Sequence, residues 1–282
     1  MSHRIKRSTA VNIEVLCEKR TMVMGILNVT PDSFSDGGKY LDVSKAVEHA
    51  RSMVEAGADI IDIGGESSRP GALPVSAAEE EDRVLPVIRA LKADVDVPVS
   101  IDTRKSRVAS AALSEGASIV NDITAMTGDP DMADLVARSS ARVVLMHMKG
   151  TPEHMQDDPV YGDVVSDVRA CLKEAMDRAV ERGISPDRII LDPGIGFGKT
   201  VGHNLALLRH LDSIRELGRP VLVGTSRKSF IGKLTGKPED RRSYGTAASI
   251  AVAVMNGADI VRVHDVAETL DVVRVVDAVR RG

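Results

Sequence analysis

Polar and ionisable residues close eight otherwise apolar runs of this 282-residue sequence. They are Asn28, Gly65-Glu66, Asp102, Asn121-Asp122, His147, Asp192, Thr225-Ser226-Arg227-Lys228, and Arg262 with His264. For a single run, the plain reading is a chain leaving its core and meeting water; eight in succession point to one polar ring. The ring holds two kinds of chemistry. Asp102, Asn121 and Asp192 offer carboxylates and an amide that can pair with the N–H and C=O edges of a flat heterocycle. Lys228, Arg262, His264 and the nearby Arg69 offer cations and donors for phosphate or carboxylate. Together they suit a ligand that is part heterocycle and part anion.

Two long segments follow the first two runs, NVTPDSFSDGGKY (28–40) and GGESSRPGALP (64–74). Both mix Gly and Pro with Ser, the first adding Thr and the second Arg, and both place a residue that a plain surface loop does not need, Phe34 or Arg69, near the centre. With Ser35 and Asp36 they read as lids that carry binding groups. The stretch LDPGIGFGKT (191–200) ends like a phosphate-binding P-loop, but Pro193 stands where that motif requires glycine, which excludes it. Gly194, Gly196 and Gly198 still permit close approach of backbone to a ligand. His147 and His154 belong to no clustered Cys/His set, so structural or supporting roles fit them better than zinc ligation.

The runs that carry the ring are 21–28, 58–64, 97–102, 117–122, 142–147, 188–192, 220–225 and 258–264. They are continuous apolar rather than alternating, as parallel strands covered on both faces are. Between them, 43–56, 77–93, 163–182 and 267–281 show helical spacing. Gly57, Gly116 and Gly257 each stand where a helix must stop before the next strand. Eight such units predict an α/β fold: a single (β/α)8 TIM barrel over residues 21–282, with its active site at the C-terminal ends of the strands. An open doubly wound sheet, the alternative, does not need the eighth unit. Residues 1–20 read as a short N-terminal cap, in which VNIEVL hints at a strand.

Composition narrows the function. The 43% apolar and 28% charged residues describe a globular chain, and a net charge of −4 argues against a nucleic-acid or anionic-membrane binder. Aromatics at 2% remove the stacking platforms of a single-strand binder. Cys17 and Cys171 make neither a disulfide framework nor a zinc site. No run has signal-peptide or membrane-span length, so a cytoplasmic location is expected.

The segments MGILNVTPDSFSDGG (24–38) and GADIIDIGGESSRPGA (57–72) resemble the two signature segments of the dihydropteroate synthase family of the folate pathway. SIDTRK (100–105), NDI (121–123), MHMKGTPEHMQ (146–156), LDPGIGFGK (191–199), TSRKSFIG (225–232) and RVHDV (262–266) follow in family order, so the resemblance spans nearly the full length. It implies condensation of 6-hydroxymethyl-7,8-dihydropterin diphosphate with 4-aminobenzoate, releasing pyrophosphate, in a homodimer. By similarity Asp102, Asn121, Asp192 and Lys228 hold the pterin, and Asn28, Ser68, Arg262 and His264 meet the diphosphate. Asn28 is also implied as a ligand of Mg2+. Ser68, Arg69, Pro70, Phe197, Lys228 and Ser229 shape the 4-aminobenzoate pocket. Ser68 replaces the usual threonine of the second signature but keeps the hydroxyl. Sulfonamides are expected to compete with 4-aminobenzoate, because GIGFGKT carries no extra residues beside Phe197.

The resemblance further implies a dissociative substitution at the pterin methylene. Asp102, Lys228, Arg262 and His264 are its catalytic candidates. Two other readings stay open on the sequence. A pterin-binding methyltransferase module shares the barrel but does not need SSRP or RVHD. An inactive pterin-binding paralogue is countered by intact Asn28, Arg69, Lys228 and His264.

Overall fold

The computed structural model describes residues 13–30, 39–68, 71–157 and 159–282. Phe34, Ser35 and Asp36 of the first lid, and Arg69 and Pro70 of the second, lie outside these residues. The strands are β1 (Met22–Asn28), β2 (Ile60–Gly64), β3 (Val99–Asp102), β4 (Ile119–Asp122), β5 (Arg142–Met146), β6 (Ile189–Asp192), β7 (Leu222–Val223) and β8 (Ile260–Val263). Each lies inside one of the apolar runs. All pairs are parallel, in the order β6-β5-β4-β3-β2-β1-β8-β7, and a bridge from Leu191 to Val221 joins the two ends of the sheet. The predicted barrel is the observed one. β7 is the shortest strand: its run begins with Pro220, which has no N–H to donate, and the next N–H, of Val221, goes to the Asp259 carboxylate.

The helices are α1 (Ile13–Lys19), α2 (Lys39–Ala56), α3 (Ala77–Asp94), α4 (Ser106–Ser114), α5 (Met132–Arg138) and α6 (Val164–Glu181). After them come α7 (Val201–Arg209), α8 (Asp212–Arg215), α9 (Ser229–Thr235), α10 (Ser243–Met255) and α11 (Val266–Arg281). Local chemistry sets several ends. Ser76 accepts the Glu79 N–H at the start of α3, and Asp163 accepts the Ser166 N–H at the start of α6. The expected stop glycines Gly57, Gly116 and Gly257 have φ of 114, 105 and 113°, values that a side chain makes costly.

Strand periodicity builds the barrel interior and the site together. Inward-facing Met22, Met24, Ile60, Ile119, Val144, Ile190, Leu222 and Ile260 form one apolar cluster in the N-terminal half of the barrel. Two residues further along four of these strands, on the same face, stand Asp62, Asn121, Asp192 and Arg262. The greasy lower layer therefore becomes a polar upper layer within one pleat. The outward-facing residues, among them Val23, Ile61, Ile101 and Val261, pack under the helices. Full burial of each Val or Ile contributes about 1.5–3 kcal/mol.

The strand hinted at by VNIEVL is not there: Ile13–Lys19 is helical. Ile13 and Cys17, four residues apart and so on one helix face, bury against the lower layer of the barrel. That tertiary contact overrides the extended preference of the Val and Ile residues.

Candidate active site

Arg262 is the centre of the upper layer. Its Nε donates to Asp62 Oδ2 at 2.6 Å and its Nη2 to Asp102 Oδ2 at 2.7 Å, and Asn121 Nδ2 donates to the same Asp62 oxygen at 3.0 Å. Four strands, β2, β3, β4 and β8, thus meet in one network. Two carboxylates share one guanidinium, so the layer is acidic overall and favours a ligand edge that donates N–H. Burial raises the Asp102 carboxyl above its ordinary value, opposed by Arg262 and reinforced by Asp62, Glu80 and Asp122. Among the described residues no acceptor engages Arg262 Nη1 and no donor engages Asn121 Oδ1 or Asp102 Oδ1, so one donor and two acceptors face a ligand.

Asp192 ends β6 beside this network. Its Oδ1 accepts the Gly194 N–H at 2.7 Å. Burial pushes its carboxyl up to about 6, against the pull of that N–H and of the Lys228, Arg262 and Lys199 charges. Lys228, at the start of α9, holds its Nζ 3.9 Å from the centre of the Phe197 ring, a cation–π contact. Phe197 packs in a small cluster with Ile123, Met146 and Met155. Ser229 follows Lys228 and is exposed, and Ser68 is half-buried after β2.

His264, just beyond β8, places Nδ1 3.0 Å from Ser226 Oγ, and its backbone N–H donates to the same hydroxyl at 3.3 Å. The direction of this bond follows the tautomer: with the imidazole proton on Nε2, Nδ1 accepts the hydroxyl proton and Nε2 is a donor suited to an anion. Arg227 is not part of this surface. It pairs with Asp265 at 2.5 Å and has φ of 58°, a left-handed conformation that turns the chain between Ser226 and Lys228.

Glu66 anchors the second lid. Its carboxylate accepts from Lys105 Nζ at 2.6 Å, Arg104 Nε at 3.0 Å and the Val75 N–H at 2.9 Å, which ties the two ends of the segment together. The lysine charge and these bonds hold the Glu66 carboxyl below its usual range despite the opposing effect of burial. The Gly71 N–H then reaches the Pro152 carbonyl at 3.2 Å, docking this loop on the one after β5.

A divalent cation finds a partial site. Among the described residues no three His, Cys, Asp or Glu side chains gather to hold a metal. Asn28, half-buried at the end of β1, offers one amide oxygen, which lies 3.8 Å from where a Cβ on Gly64 would stand. One neutral oxygen fits Mg2+ if phosphate oxygens and water supply the other ligands, as that small hard ion commonly arranges.

Two expectations need correction, and one residue was overlooked. The close approach allowed by Gly194 and Gly198 is to protein rather than to ligand. A Cβ at Gly194 would lie 1.9 Å from the His147 carbonyl oxygen, and one at Gly198 would lie 2.4 Å from that of Lys149. Gly196 instead faces the Lys228 side chain, with its Cβ position 3.0 Å from Cδ. His147, read on the sequence as closing one run of the ring, is instead buried against Lys199, in keeping with the supporting role expected of it, and His154 is exposed beside Glu153 and Asp157. Asp62, fully buried, was overlooked because it lies inside its run and not at the end; a carboxylate within an apolar strand was the available signal.

The comparisons with known proteins converge. Residues 24–264 match the model of the family described as pterin binding enzyme. The dihydropteroate synthase of Synechocystis sp. is 49% identical over 264 residues, covering 93% of this chain and 91% of that protein. The Yersinia pestis dihydropteroate synthase in its sulfonamide drug complex superposes with a TM-score of 0.89 at 45% identity, over 94% of this chain and 96% of that one. The Xanthomonas albilineans dihydropteroate synthase in complex with 7,8-dihydropteroate gives 0.85 at 45% identity, over 93% and 95%. With a polar ring of this composition on a barrel of this topology, the chain belongs to the pterin-binding enzymes and, among them, to the dihydropteroate synthases.

Proposed function

We propose that this chain joins 6-hydroxymethyl-7,8-dihydropterin diphosphate to 4-aminobenzoate, forming 7,8-dihydropteroate and pyrophosphate. The observation that carries the reading is the network of Asp62, Asp102, Asn121 and Arg262, with Asp192 beside it. Its open carboxylate and amide oxygens match the N–H edge of a pterin, and the Arg262 guanidinium supplies a planar cation at the same depth. The X. albilineans relative in complex with 7,8-dihydropteroate supports the same chemistry.

In this reading Asp102, Asn121, Asp192 and Lys228 orient the pterin, while Arg262 Nη1, His264 Nε2 and the Ser68 hydroxyl meet the diphosphate. Donors aimed at the departing phosphate stabilise its growing charge as the methylene–oxygen bond breaks. The Asp102 and Asp192 carboxylates counter positive charge spread over the pterin. The amine of 4-aminobenzoate then forms the carbon–nitrogen bond and gives its proton to the released pyrophosphate or to water. Mg2+, when bound by Asn28 and diphosphate oxygens, supplies further neutralisation of the leaving group. Phe197, Lys228 and Ser229 form the side that receives the aminobenzoate; Arg69 and Pro70, expected there by resemblance, lie outside the described residues. Lid closure over the ring would keep water from the cation.

Sulfonamides take the place of 4-aminobenzoate in this reading, in line with the drug complex of the Y. pestis relative. A second copy of the chain completes the molecule through α10 and α11, in the cytoplasm. Among the described residues no helix is long and apolar enough to cross a membrane.

The test is pyrophosphate release from the pterin diphosphate with Mg2+, with and without 4-aminobenzoate. Release that depends on the arylamine is expected. Pterin binding without release would point to the inactive paralogue, and no binding at all would remove the assignment.

A further inference from the structure

Lys199 lies outside the polar ring, yet its amino group is one of the most enclosed ionisable groups among the described residues, with 3% of the residue exposed, and burial pulls it down to about 7. Its Nζ lies 2.9 Å from both the Gly194 and Phe197 carbonyl oxygens, 3.3 Å from that of His147, and 2.9 Å from His147 Nδ1. Gly194 and Phe197 belong to the loop after β6; His147 opens the loop after β5. All four partners are neutral acceptors. An ammonium has three donors to distribute, and among side chains of this length only a lysine can direct them from a single atom to carbonyls on both loops. Burying that charge is costly, so a clasp is the simplest account of why it is there.

Two further side chains sew the same seam. Gln156 Nε2 donates to the Gly196 carbonyl and Tyr161 Oη to that of Gly198, each at 2.7 Å. The Gly194 carbonyl also receives the Phe197 N–H at 3.0 Å, which closes the turn carrying the Phe197 ring. On that ring sits Lys228 Nζ, 3.9 Å away.

We propose that Lys199 is a positioning residue for the 4-aminobenzoate side of the site: by fastening the Phe197 peptide to the loop after β5, it fixes the ring on which Lys228 rests. The assignment of that side rests on the function proposed above. Asp102, Asn121 and Arg262 are held by a separate network on β2, β3, β4 and β8, and of the pterin side only Asp192, through the Gly194 N–H, and Lys228, on the Phe197 ring, touch the clasped loop, so loosening the clasp should act more on the aminobenzoate than on the pterin.

The experiment compares the full-length chain with its Lys199→Met variant, whose side chain keeps the length and loses all donors. Two readouts are taken: steady-state KM for each substrate, and amide hydrogen exchange across residues 193–199. We expect KM for 4-aminobenzoate to rise about tenfold while that for the pterin diphosphate stays within about twofold, and exchange over 193–199 to accelerate while β1–β4 keep their protection. Equal changes in the two KM values, or unchanged exchange over 193–199, would overturn the proposal. If Lys199→Met does not fold, Tyr161→Phe and Gln156→Ala each remove one stitch of the seam. Faster exchange over 193–199 in these variants is expected, and unchanged exchange overturns the clasp. If the parent chain releases no pyrophosphate, the proposed function fails, while the exchange data still decide whether the clasp exists.

Discussion

Asp62 decides whether Arg262 can face a ligand at all. The guanidinium is pinned by carboxylates on two strands, Asp62 on β2 and Asp102 on β3, and Asp62 also takes the Asn121 amide. Asp62→Asn keeps the volume but removes the charge from a buried pair, a class of change that costs about 3–5 kcal/mol when a partner is left uncompensated. Since Asp102 remains, we expect about 3 kcal/mol lost in urea unfolding, together with a rise in KM for the pterin diphosphate. Stability and KM both indistinguishable from the parent would contradict the network. Asp192 gives a pH signature. Its carboxyl is pushed up from 3.8 to about 6, chiefly by burial, so below that pH it is protonated and offers a pterin N–H no charge. We expect kcat/KM for the pterin diphosphate to fall steeply below pH 6, with the limb shallower in Asp192→Asn, where the raised Asp102 carboxyl still titrates. The folding sign is the opposite: because the folded state holds this proton more tightly, the stability contributed by Asp192 declines as pH rises from about 4 to about 6. Asp102, Asp192 and Arg262 were legible in the sequence because each sits at or near the end of a greasy run. Asp62 and Lys199 were not, since their roles depend on which strands and loops become neighbours.

The strands were easier to read than the loops that follow them. Continuous apolar runs mark buried parallel strands by composition alone, and all eight fall where they were expected. The helix over 13–19 escaped because a short segment rich in β-branched residues takes its conformation from the surface it covers. The loop after β6 escaped for a related reason: its glycines signal close approach, but not to what. The structure supplies the answer, and substitutions can check it. Gly194→Ala would force a Cβ to 1.9 Å from the His147 carbonyl oxygen at a φ of 65°, combining a backbone clash with left-handed strain. Gly183, at the end of the turn after α6, has φ of 88° and nothing within 4 Å of its Cβ position. Gly183→Ala therefore carries conformational cost alone, about 1 kcal/mol, whereas Gly194→Ala should cost more than about 2 kcal/mol. Urea midpoints with unchanged slopes would measure both. Equal losses at the two positions would mean that the loops after β5 and β6 separate easily, contrary to the packing described here.

At the scale of the molecule, α10 is the element that does not behave like the outer helix of a monomeric barrel. Its thirteen residues, SYGTAASIAVAVM, include no charge. Ile250, Ala253 and Val254 face the core, as an outer helix requires, but the opposite stripe of Tyr244, Ala248, Val252 and Met255 is exposed and carries no charge either. Tyr244 is 93% exposed and Met255 48%. On the neighbouring α11, Val275 and Val279 are 65% and 71% exposed, so the two helices present apolar side chains together. A helix apolar on all sides is normally covered on all sides, and contiguous apolar surface on a soluble fold marks an interaction site. A second copy is the proposed occupant, since a two-fold axis sets a patch against itself and the uncharged stripe of α10 has no like charges to oppose. Sedimentation equilibrium at micromolar concentration should then give twice the 30.1 kDa chain mass. Val252→Glu with Val275→Glu would bury like charges against their copies and should return the mass to that of one chain, while leaving the barrel interior untouched. A parent that sediments as a single chain at micromolar concentration would refute the dimer. A dimer that survives both substitutions would place its interface on another face of the barrel.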